Sequence, residues 1–123
     1  MAGIIEKKLS FITIKASLTK IGDDYNLLIS GGKEHIGCTV LALPRPSLTG
    51  DGTISATSSV INVTGHKDEL VCRYLAERLC AYANAAVVCT GGIHADNISK
   101  DQIDEIMRAA QELAADLEKI MQH

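Results

Sequence analysis

Five consecutive apolar residues, Ala85-Ala86-Val87-Val88-Cys89, stand between two stretches whose apolar residues recur at helical spacing. A run this short, wholly apolar and bracketed in this way is the signature of a buried strand reached by a crossover. It commits the chain to a sheet with helices packed against it.

The segments upstream supply the rest of that sheet. Phe11 to Leu18 alternates, with Ile12, Ile14, Ala16 and Leu18 on one side and Thr13, Lys15 and Ser17 on the other, the period of a half-exposed strand. Gly22-Asp23-Asp24 turns the chain into a second strand, Tyr25 to Ser30. Gly31-Gly32 reads as a hairpin leading to a third, Ile36 to Leu43, apolar enough to lie inside the sheet. Pro44-Arg45-Pro46-Ser47 is expected to stop that strand, since proline lacks a ladder donor and restricts its predecessor. A polar loop, mobile around Thr49 to Thr53, then precedes a fourth strand over Ser55 to Val63, closing a four-stranded antiparallel meander.

From His66 the period becomes helical, carried by Leu70, Tyr74, Leu75, Leu79 and Tyr82, with Asp68 and Glu69 in the first turn where they suit the dipole. Ser99 is placed to cap a last helix whose apolar stripe is Ile103, Ile106, Met107, Ala110, Leu113, Leu117 and Ile120. The predicted order is ββββαβα, an α/β (α+β) fold in one domain over residues 1–123, with the helices on one sheet face.

Charge and hydropathy narrow the partners. Lys and Arg number 12 against 15 Asp and Glu, a formal charge of -3, and no basic cluster is present, so nucleic acid is not an expected partner. Hydrophobic residues make up 46% and the mean hydropathy is +0.13, which favours an apolar face buried against another chain. A homodimer through the uncovered sheet face is the expectation. The N-terminus lacks the apolar core of a signal peptide and no run reaches membrane-spanning length, so a cytoplasmic protein without membrane association is expected. Cys38, Cys72, Cys80 and Cys89 have no C-x-x-C spacing and read as buried free thiols.

Chemistry concentrates where glycine meets histidine. In Gly31-Gly32-Lys33-Glu34-His35-Ile36-Gly37 the glycines permit close approach of a ligand to the backbone, with Lys33 and His35 beside it; a plain turn explains the same residues. Gly65-His66-Lys67 lies where a helix begins, so free N–H groups and a lysine could meet an anion there, or Thr64 could simply cap the helix. Thr90-Gly91-Gly92-Ile93-His94-Ala95-Asp96 follows the buried strand, a common ligand position in open sheets, and His94 and Asp96 could orient one another. Arg45, held between prolines, offers a planar fork for phosphate or carboxylate. Ser47 adjoins it, and Ser58 belongs to a hydroxyl-rich strand that could line a polar pocket. Neither a P-loop, a dinucleotide fingerprint nor a nucleophile elbow is present. No catalytic residue and no metal ligand is assigned, although His66 or His94 as acid or base of a small enzyme on a phosphorylated or carboxylated metabolite is an alternative, as is a structural assembly factor without ligand.

Taken in order, Gly31-Gly32 through His35-Ile36-Gly37, Leu43-Pro44-Arg45-Pro46-Ser47-Leu48, Ser58-Ser59-Val60, Gly65-His66-Lys67-Asp68 and Gly92-Ile93-His94-Ala95-Asp96 resemble the LpdD-like family of prenylated flavin chaperones. These are small proteins associated with gallate-type and other prenylated-flavin-dependent decarboxylases. The resemblance spans about Tyr25 to Ile106. It implies a non-catalytic carrier of prenylated FMN, with FMN itself the other candidate, a decarboxylase as partner, and a fold like that of the commonly dimeric proteasome assembly chaperones. Joined to the motifs, it implies a cofactor site drawn from Gly32, His35, Ile36, Gly37, Arg45, Ser47, Ser58, Gly65, His66, Lys67, Gly92 and His94. The phosphate would meet Gly65, His66 and Arg45 with Lys67 assisting, His35 and His94 would bond the flavin edge or ribityl chain, and Ile36 and Ile93 would wall the ring.

Overall fold

The computed structural model describes residues 2–63 and 66–122, the side chains of His66 and Lys67 excepted. Strands β1 (Gly3–Lys8), β2 (Thr13–Ile21), β3 (Asp24–Gly32), β4 (Cys38–Pro46) and β5 (Ile54–Asn62) precede helix α1 (His66–Ala83), strand β6 (Val87–His94) and helix α2 (Lys100–Met121). All six strands form one sheet in the order β1-β2-β3-β6-β4-β5. Only the β3–β6 pair is parallel.

Three expectations are corrected. The sheet has six strands rather than a four-stranded meander, because Gly3–Lys8 pairs along β2 as an edge strand. Gly31-Gly32 is no hairpin: β6 lies between β3 and β4, and the glycines lead out of the parallel pairing with β6. An apolar strand belongs at the sheet centre, where one face is covered by the helices and its backbone groups are paired on both edges. Nor do the prolines end β4, which stays paired to β5 as far as Pro46 opposite Ile54. β6 reaches along β4 only to Ala42, and alternation turns the nitrogens of Pro44 and Pro46 toward the side that β6 leaves open.

Alternation sets the layers. Ile14, Ala16 and Leu18 of β2, Leu27 and Ile29 of β3, Val40 and Ala42 of β4, and Val87 and Cys89 of β6 point to one face and are buried there. Leu75, Leu79, Leu113 and Leu117 of the two helices close over them. Side-chain bonds tie the helical layer down. The Arg78 guanidinium donates to both carboxylate oxygens of Glu118 at 2.9 and 3.1 Å, linking α1 to α2, and Lys7 of β1 pairs with Asp116 at 2.9 Å. As expected, Ser99 caps α2, within a capping box completed by Gln102. The four cysteines are free and buried. No described helix is long and apolar enough to cross a membrane. The opposite face carries exposed Leu28, Leu41 and Leu43, with no layer over them among the described residues.

Candidate functional site

At the end of the sheet where β6 finishes, the β3–β4 connection, the last turn of β6 and the start of α1 meet around one buried carboxylate. Asp68, in the first turn of α1, is only 6% exposed. Its Oδ1 accepts the Ile93 backbone N–H at 2.8 Å, and its Oδ2 lies 3.1 Å from His35 Nε2. Beyond the start of β4 the outermost residues of β6 lose their neighbour on that side, and Asp68 supplies an acceptor to an N–H that the ladder does not reach.

The close approach explains two glycines. A Cβ on Gly37 would collide with the Asp68 carboxylate, and one on Gly92 would sit 2.7 Å from His35 Cε1. Both serve packing within the chain, with the space a side chain would occupy taken by Asp68 and His35. Backbone bonds complete the junction: Gly37 N–H donates to Gly91 at 2.9 Å, Val63 N–H to Gly37 at 2.7 Å, and Lys33 N–H to His94 at 3.0 Å.

His35 is held on both sides, since its Nδ1 lies 3.3 Å from the Lys33 carbonyl oxygen. Each ring nitrogen of His35 therefore faces an oxygen of the chain. Its ring stands edge-on to that of His94 with centroids 6.0 Å apart. His94 Nε2 in turn lies 3.0 Å from Asp96 Oδ1, the mutual orientation expected of that pair. The two histidines differ in access: the His94 side chain is 48% exposed and that of His35 29%. His94 is thus the more accessible ring, and His35 the ring held within the junction. Exposed Ile36 follows His35 in the chain, and exposed Leu70 lines a small apolar groove together with Asp68 and Ile93.

Beneath it, the thiols of Cys38, Cys72 and Cys89 approach one another. Burial raises the pKa of Cys38, and contact with Cys89, followed by burial, raises that of Cys72. Both stay protonated and inert as nucleophiles.

Of the residues singled out in the sequence, Gly32, His35, Ile36, Gly37, Gly92 and His94 share this end, with Gly32 opposite His94 in the β3–β6 register. α1 begins here as expected, but Gly65 and the side chains of His66 and Lys67 lie outside the described residues. Arg45, Ser47 and Ser58 are not brought to it. Arg45 sits about 23 Å of extended strand beyond Cys38, bonded to Thr57 Oγ1 at 2.7 Å and to the Pro46 carbonyl. Ser47 turns into the β4–β5 loop against Thr49, and Ser58 donates to Glu77 of α1 at 2.5 Å. One chain therefore does not place Arg45 and the start of α1 on a common phosphate. Asp68 is the residue whose role the sequence reading missed: its position in a first helical turn explained it well enough, and only the glycine at position 37 hinted at a close neighbour.

A six-stranded sheet with two helices on one face is an arrangement shared with a solved structure. A solved chain from a chaperone complex for yeast 20S proteasome assembly matches it with a TM-score of 0.55 at 12% identity, over 98% of this chain and 99% of that one. Residues 8–122 match the family model for the prenylated flavin chaperone LpdD-like domain, and the chain belongs to that family. Comparison with curated proteins gives no match.

Proposed function

We propose that this chain is a non-catalytic accessory protein that binds prenylated FMN and delivers it to, or protects it for, a prenylated-flavin-dependent decarboxylase. The observation that carries the reading is the family match over residues 8–122. The cluster at the end of β6 agrees with it in chemistry. A flavin has an apolar ring system with a polar edge, and here His94, backed by Asp96, stands beside exposed Ile36. When bound, the cofactor would supply a planar ring and a phosphate for recognition. His94 would hydrogen-bond the flavin edge or ribityl chain, Ile36 would cover the ring, and the first N–H groups of α1 would face the phosphate, with Gly65, His66 and Lys67 contributing as the motif suggests. His35 and Asp68 would hold the junction in place.

The exposed leucines of the open sheet face support a homodimer that buries them. A site formed by a few hydrogen bonds at a rim, rather than a closed pocket, suits a carrier that must release its cargo. Co-expression with a flavin prenyltransferase tests the reading. The purified protein is expected to be coloured with a flavin spectrum and to pass that cofactor to an apo-decarboxylase; colourless protein that leaves the decarboxylase inactive would contradict it.

A further inference from the structure

The sheet has two edges, and they are built differently. β1 is six residues long and carries Glu6, Lys7 and Lys8, charges that discourage pairing with another strand. β5 is nine residues long, Ile54–Asn62, with no charged residue, no proline and no glycine. Such an edge is a template for another strand unless something guards it.

The direction of its free groups follows from two hydrogen bonds. Val63 N–H donates to Gly37 O at 2.7 Å and Thr53 O accepts from Ser47 N–H at 2.9 Å, both toward the β4 side. Backbone groups alternate along a strand, so the N–H and C=O groups of Ile54, Ala56, Ser58, Val60 and Asn62 point away from β4. The helix-facing side chains leave that edge clear: Ser58 donates to Glu77 of α1 and Asn62 to Glu69, each turned toward the helix.

We propose that β5 pairs antiparallel with β5 of a second copy of this chain, extending two six-stranded sheets into one of twelve. In the register that overlaps the whole strand, the two-fold axis passes at Ser58. Ala56 then faces Val60, Thr57 faces Ser59 and Ser55 faces Ile61. Ile54 faces Asn62 at the two ends, the pairs between them are small, apolar or hydroxyl-bearing, and β5 itself brings no charged side chain to the seam, the nearest carboxylates being those of Glu69 and Glu77 on α1. This is an isologous contact, closed at two copies, and it uses a surface separate from the leucines of the open face.

The full chain tests it by sedimentation equilibrium across a range of concentrations. Ala56→Pro removes one outward-facing donor and leaves the β4 ladder and the open face untouched. It is expected to halve the assembled mass while the chain stays folded, with a melting temperature that no longer rises with concentration through this contact. A wild-type chain that is monomeric throughout, or a folded Ala56→Pro protein of unchanged mass, would overturn the proposal. Should that variant not fold, amide hydrogen exchange on the wild type decides. Protection at Ala56, Ser58 and Val60 matching that at Thr57 and Ser59 is the expected result, and rapid exchange at those three amides would sink it.

Discussion

The two ends of the sheet are built on opposite principles. Where β6 finishes, three segments distant in sequence close on a buried carboxylate: Asp68 takes its partners His35 and Ile93 from two other segments, and backbone bonds join Gly37 to Gly91 and Lys33 to His94. Where β4 turns into β5, the bonds are local or exposed: Asp51 accepts from the Thr53 N–H and hydroxyl, and Ser47 meets Thr49 two residues on. The first end is specified by tertiary structure and the second by turn chemistry. Positional precision of the kind a ligand needs is found at the first.

Substitutions that break this contrast are ordered by size. Gly37→Ala would push the Asp68 carboxylate off His35 and Ile93 and is expected to cost roughly 2–3 kcal/mol in urea unfolding. Asp68→Ala, which leaves the Ile93 N–H without its acceptor, should cost about 1–3 kcal/mol. At the other end Gly50→Ala meets open space, and its cost is confined to placing a side chain at φ +71, about 1 kcal/mol. Equal losses at positions 37 and 50 would erase the distinction. The smallest effect concerns Glu105, which anchors the β1–β2 turn to α2 by accepting from the Ser10 hydroxyl and N–H at 2.6 and 2.7 Å. The Ser10 hydroxyl, then its N–H, holds the Glu105 carboxyl below its ordinary value of 4.5. A depressed pKa in the folded state means that the unfolded chain binds the proton more readily. The contribution is therefore whole above that ordinary value and is lost as pH falls through the folded one. A melting-temperature series on Glu105→Gln should show a shallower decline on the acid side than wild type.

The sequence disclosed the elements better than their arrangement. The alternation at Phe11 to Leu18, the helical period after His66, the Ser99 cap and the apolar run ending at Cys89 each rest on local physics, and each appears in the fold. Insertion of β6 between β3 and β4 was not legible, because strand order is decided by burial of whole surfaces rather than by any dipeptide. The prolines of β4 misled for a related reason: their cost depends on which neighbour their nitrogens would face, and β6 has already ended there. The candidate site divides along the same line. His35 and His94 were visible as glycine-flanked histidines, yet their approach to 6.0 Å depends on β6 lying beside β3. Asp68 was visible only as a helix-start residue, and Arg45 attracted attention through a motif that lies at the far end of the same strand.

In the proposed function the cofactor binds at the end of β6 and not at the end where β4 meets β5. Titration of the chain with prenylated FMN, followed by flavin fluorescence or absorbance, tests it most directly with His94→Ala and Arg45→Ala in parallel. Binding weakened about tenfold or more by His94→Ala, roughly the worth of one well-placed hydrogen bond, with Arg45→Ala close to wild type, is the predicted result. The reverse order would rule out the β6 end and move the site to the opposite end of the sheet.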